Sequence, residues 1–148
     1  MCGFDGRLGR NPVAIEAAHV RWHSQDGPDD LANAVALCSL HHALFDCGVL
    51  GLSPDLQITV SPLYVATSQA GRAIDVLAGQ PLLHVRPGQP SVDVIYVNWH
   101  RVQVFKSHGH QAEYKRSPTS GTRAHGSRLL FGSCHCLDND GIEAVPPR

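Results

Sequence analysis

Residues 16–50 read EAAHVRWHSQDGPDDLANAVALCSLHHALFDCGVL, and this stretch decides the architecture of the chain. Entering it, PVAIEAA (12–18) is a short apolar run suited to a strand, with His19 at its end. SQDGPDDL (24–31) is turn chemistry, an Asp-Gly pair, a proline and two more acids. NAVALC (33–38) is a second short apolar run. From Ser39 the pattern changes: Ser39 offers an N-cap, Leu40 and Leu44 share one helical face, and Gly48 supplies a stop. Two short strands around a polar loop, followed by one helix, predict a ββα unit of about 40 residues.

Working outward, LQITV (56–60) reads as a strand after the turn Ser53-Pro54-Asp55, and residues 67–79 as a helix ending at Gly79. Residues 80–91 hold three prolines and a glycine, which predicts a loop. In 92–106 the β-branched content favours a strand, yet Val94, Val97, Arg101 and Val104 fit helical spacing; a helix is the reading adopted. From Ser107 the chain is polar and without period, as expected of a disordered tail. The class expected is α+β: a core over 1–60, an extension over 61–106 packed on it, and a tail over 107–148.

The 148 residues contain no run long and apolar enough for a membrane span, and the opening MCGFDGRLGR has no apolar signal region. A cytoplasmic location is the default expectation, and there the five cysteines read as thiols or metal ligands rather than disulfides. The net charge of −1 hides an asymmetry: residues 1–60 set Arg7, Arg10 and Arg21 against seven acids, whereas 61–148 are net basic. A polyanionic partner is permitted but not demanded.

Ten histidines is a high count, and His19, His23, His41 and His42 fall close together beside Cys38 and Asp46. Cys2-x-x-Asp5 and Cys38-x-x-His41 have the spacing of two knuckles converging on one structural zinc, with Cys47 the alternative to Asp5. His19, Asn33 and His42 follow the spacing H-x13-N-x8-H.

With its Ala-His-Val strand end, Gly-Pro-Asp-Asp loop, Asn before Ala-x-Ala-Leu-Cys, and His-His-x-x-Phe-Asp helix, the segment 16–50 resembles the HNH, or His-Me finger, endonucleases. It is similar in particular to the nuclease domain of restriction enzymes that cut methylated or phosphorothioated DNA. Trp99-His100-Arg101 and Val104-Phe105 look like the C-terminal helix of that branch, so the resemblance covers about residues 1–106. It implies a ββα-metal core, DNA as partner, and hydrolysis of phosphodiester bonds with one divalent cation, Mg²⁺ or a metal such as Mn²⁺, Ni²⁺ or Co²⁺. By the same resemblance His19 is the general base, Asn33 holds the loop and base in place, and His42 is a metal ligand. Asp46, four residues on along the same helix face, reaches the same ion. Many relatives carry a further ligand directly before the base; here that position is Ala18.

Plainer readings accompany these. His23 is a loop histidine, Trp99 and Phe105 are core, His100 and Arg101 either meet phosphate or form a solvated face, and Cys134-His135-Cys136 is incidental. The competing functions are a non-catalytic zinc module that binds nucleic acid or protein, and a truncated inactive fragment, since Met1 sits directly against Cys2. A homodimer is compatible with either.

Overall fold

A computed structural model of the chain describes residues 1–82 and 88–107. The tail expected from Ser107, including Cys134-His135-Cys136, lies outside the described residues but for its first.

A hairpin opens the chain, strand β1 (Arg7–Leu8) pairing antiparallel with β2 (Asn11–Pro12) across a turn at Gly9. Strand β3 (Ile15–His19) then pairs antiparallel with β4 (Ala34–Cys38), Ile15 facing Cys38 and His19 facing Ala34. Because side chains alternate along a strand, the partners Ala18 and Val35 share one face with Glu16 and Leu37. Ala18, Val35 and Leu37 are buried there, while Glu16 stands at the exposed rim.

Helix α1 (Ser39–Asp46) follows β4 without a linker and packs back over the pair. Its cap is the extended residue Cys38, one position before the serine expected. His41 and Phe45, one turn apart, form its buried side. Strand β5 (Leu50–Leu52), buried throughout, returns through a tight turn to β6 (Ile58–Val60).

The helix expected over 67–79 is broken into α2 (Gln69–Arg72) and a single 3₁₀ turn at Asp75–Leu77. Ser68 caps α2 through Gly71 N–H, Tyr64 Oη donates to the Gly71 carbonyl, and the chain bends to bury Ile74. Helix α3 (Val94–Gln103) stands where a helix was expected, capped by Asp93, which accepts from Ile95 N–H.

The C-terminal segment clamps the ββα unit. His100 is buried, stacks on the Phe45 ring at 3.8 Å, and directs Nε2 to the Phe45 carbonyl at 3.1 Å. Lys106 N–H donates to Gly48 O, and the Ser61 hydroxyl to Lys106 O. Gly48, at positive φ, has room for no side chain: a Cβ there would overlap the Val104 carbonyl oxygen. Of the two readings of His100, phosphate contact or solvated face, neither survives its burial; Arg101 beside it is exposed. No helix among the described residues is long and apolar enough to cross a membrane.

Candidate active site and metal cluster

The residue that organises the loop between β3 and β4 is Asn33, fully buried and held by three side-chain hydrogen bonds. Its Oδ1 accepts from Arg21 N–H at 2.8 Å, and its Nδ2 donates to Arg21 O at 2.9 Å and Pro28 O at 3.0 Å. Both ends of the loop are therefore tied to one amide. Gly27 completes the turn, since a Cβ there would overlap the Arg21 carbonyl oxygen. So folded, the loop delivers Asp29 to His19: Asp29 Oδ1 lies 2.7 Å from His19 Nε2. The His23 ring stands edge-on to His19 at 6.2 Å.

On α1, His42 sits between two carboxylates. Its Nδ1 is 2.6 Å from Glu16 Oε2, and its Nε2 is 3.4 Å from Asp46 Oδ2, one helical turn on. A carboxylate only accepts, so Glu16 fixes the proton on Nδ1 and leaves the Nε2 lone pair beside Asp46. Ser39 Oγ donates to the other Glu16 oxygen; that bond and the one to His42 hold the Glu16 carboxyl below its usual range. Asp46 is pinned in turn, its Oδ1 accepting from Trp22 Nε1 at 3.3 Å, and burial pushes its carboxyl up. Trp22 packs edge-on against Trp99 at 5.9 Å, with the Arg21 guanidinium 6.0 Å from the Trp99 ring.

This donor set fits a divalent cation. Two ligands at about 2.1 Å from one ion stand roughly 3.0–3.4 Å apart at octahedral to tetrahedral angles. His42 Nε2 and Asp46 Oδ2 match that separation, and their far atoms are already occupied. Ala18, directly before His19, is wholly buried under α1 and adds nothing; Glu16, two residues earlier on the same face, reaches His42 instead.

A second cluster gathers Cys2, Cys38 and His41, whose ligand atoms lie within 4.8 Å of one another. The two Sγ atoms are 3.6 Å apart, close to the edge of about 3.8 Å in a zinc tetrahedron. Cys38 Sγ is 2.9 Å from His41 Nδ1, and burial lowers the His41 pKa, keeping the imidazole neutral as a ligand must be. Asp5 is not among the three. The chain turns at Gly3, in the left-handed region, and leaves Asp5 exposed on the approach to β1. Cys47, at the far end of α1, is not in the cluster either.

The structure thus brings His19, Asn33, His42 and Asp46 onto one ββα unit, and Cys2, Cys38 and His41 into a separate group. Sequence reasoning missed Glu16, Asp29 and Trp22. For Glu16 a signal existed: strand alternation puts it on the face of Ala18, toward the helix.

Residues 2–53 match the HNH endonuclease family model. Among solved structures, the chain is similar to a modification-dependent TagI restriction endonuclease, at 27% identity and a TM-score of 0.52. The likeness covers 70% of this chain and 32% of that one, so the chain spans about a third of that protein's length. No curated protein matches. The ββα geometry lies within the matched segment, and over residues 2–53 the chain is similar to the HNH endonucleases.

Proposed function

We propose that the chain is a metal-dependent endonuclease that hydrolyses DNA phosphodiester bonds, with His19 as general base, in a restriction or defence setting. One observation carries the reading: a histidine at the end of β3 shares a ββα unit with a helix that presents His42 Nε2 and Asp46 Oδ2 together. His19 withdraws a proton from water at a ring nitrogen, the task for which neutral imidazole is suited near neutral pH. Asn33 keeps the loop, and with it the base, in place. His42 and Asp46 would hold the divalent cation, which supplies charge stabilisation to the phosphoryl and leaving oxygens. Cys2, Cys38 and His41 would hold a structural zinc that closes the N-terminus onto the start of α1.

The TagI protein is described as modification dependent, and its likeness extends past the matched segment, which supports modified DNA as the substrate class. The test is cleavage of unmodified, methylated and phosphorothioated plasmid across Mg²⁺, Mn²⁺, Ni²⁺ and Co²⁺. His19→Ala should lower the rate by about 10²–10⁴-fold at every metal concentration, the range of one general base. His42→Ala should also lose cleavage, but with partial recovery in excess cation. No cleavage by the unsubstituted protein with any metal or substrate would leave only a zinc-stabilised binding module.

A further inference from the structure

The general base has a partner that the three-letter motif does not name. Asp29 Oδ1 lies 2.7 Å from His19 Nε2, hydrogen-bond distance for a charge-assisted pair. The Asp29 side chain is 74% exposed, so its hold on His19 comes from where the loop puts it and not from burial. That loop is over-determined. Asn33 donates to the carbonyl of Pro28, the residue before Asp29, and Asp30, the residue after it, caps the 3₁₀ turn Leu31–Asn33 by accepting from Ala32 N–H. Gln25 and Gly27 N–H both donate to Trp22 O. One buried amide therefore links the motif asparagine to the base through Pro28 and Asp29.

We propose that Asp29 is the positioning residue of the base, a reading that rests on His19 being that base. A carboxylate accepts only, so the neutral His19 ring carries its proton on Nε2 and keeps its lone pair on Nδ1. In the hydrolytic step the water O–H bond breaks and its proton passes to Nδ1. The oxygen's electron pair forms the new P–O bond, and the bond from phosphorus to the 3′ oxygen breaks with its pair leaving on that oxygen. The imidazolium so formed is paired with Asp29. The other titratable groups around His19 are His23 on the 3₁₀ turn and Asp46 on α1, both retained in the test.

The experiment compares the unsubstituted protein with Asp29→Ala, Asp29→Asn, Asp29→Glu and His19→Ala. Two readouts go beyond activity: the His19 tautomer from long-range ¹⁵N–¹H correlation spectra, and DNA affinity by fluorescence anisotropy. The expected tautomer is Nε2–H in the unsubstituted protein and a mixture in Asp29→Ala. The cleavage plateau should fall by about 10- to 100-fold, part of the factor a general base supplies. Asp29→Glu should recover part of the rate and DNA affinity should stay constant. An unchanged tautomer and cleavage rate in Asp29→Ala, with His19→Ala inactive, would overturn the role of Asp29 while sparing the base. Cleavage by His19→Ala equal to that of the unsubstituted protein would end both.

Discussion

A neutral imidazole has one lone pair in its ring plane, and at His42 the choice of nitrogen is made by Glu16. With Nδ1–H held by that carboxylate, Nε2 faces Asp46 before any cation arrives. Such outer partners typically change metal affinity by about 10–100-fold when removed. Glu16→Ala is therefore expected to weaken Mn²⁺ binding by that factor in a direct titration, whereas Glu16→Gln, which keeps an acceptor, should lose less. Equal affinities for all three proteins would show that the Glu16 contact is incidental. His19, Asn33 and His42 were singled out through the resemblance of residues 16–50 to the HNH endonucleases, and they do fall on one ββα unit. Asp29 was not legible, because an exposed acid in a loop reads like any solvated charge until the fold supplies its partner; Glu16 shared the face of Ala18 but had no visible partner, and nothing local ties the Trp22 indole to Asp46.

Among the elements, β3, β4, α1 and α3 could be read from local pattern, caps and stops. The hairpin β1–β2 and strand β5 could not: two or three residues carry no period, and their pairing is defined by a neighbour. The break in the 67–79 helix is likewise tertiary, set by Tyr64 and the burial of Ile74. Helix α1, eight residues long, is below the length at which a helix holds itself in water, so it depends on what packs around it. At its N-terminal end that is the Cys2–Cys38–His41 group. Structural zinc in small peptides contributes on the order of 10–16 kcal/mol near neutral pH. Removing zinc from the purified protein should thus melt α1 and the β3–β4 pair, seen as loss of far-UV circular dichroism. A folded sample free of zinc by elemental analysis would refute the assignment.

One turn further along the same buried face of α1, against Phe45, is His100, whose pKa burial lowers to about 4. The folded state disfavours the imidazolium, so the unfolded chain binds the proton more readily between about 4 and 6.5. Stability from this residue is complete above pH 6.5 and is lost as pH falls toward 4, by at most ~3 kcal/mol. The melting temperature should drop over that window, and His100→Gln should flatten the drop. A slope identical in the variant would place the acid sensitivity elsewhere.

At the scale of the whole molecule, the matched family segment ends at residue 53 but the packing does not. Phe45 is covered by His100, Gly48 is shaped to the Val104 carbonyl, and a Cβ on Gly51 would meet the Phe105 ring. The chemistry-bearing unit and the folding unit are therefore different lengths. A fragment ending at residue 60 is expected to keep Cys2, Cys38, His41, His42 and Asp46 yet unfold at markedly lower temperature than the full chain. Matching melting curves would show that residues 94–107 contribute little. The expectation of a core over 1–60 with an extension packed on it rested on the ββα pattern and the resemblance of 99–105 to a C-terminal helix; the clamp itself depends on side chains meeting across more than fifty residues, which no local pattern reveals.

His41 and His42 are neighbours in sequence, and their rings diverge, one toward the Cys2 and Cys38 sulfurs and the other toward Glu16 and Asp46. Two ions of unlike kind would then hang from adjacent residues of a single short helix, and their occupancies become thermodynamically reciprocal. On that proposed assignment, whatever tightened the zinc would order the helix that presents His42 and Asp46, and a cation there would repay the same coupling free energy to the zinc. A chelator added to demonstrate a need for the catalytic cation would also dismantle the support beneath it, so the two requirements separate by rate of exchange and not by presence or absence. Brief dilution into cation-free buffer should release the surface ion and stop cleavage at once, reversibly, whereas prolonged chelation should abolish activity in a way that Mg²⁺ alone does not restore.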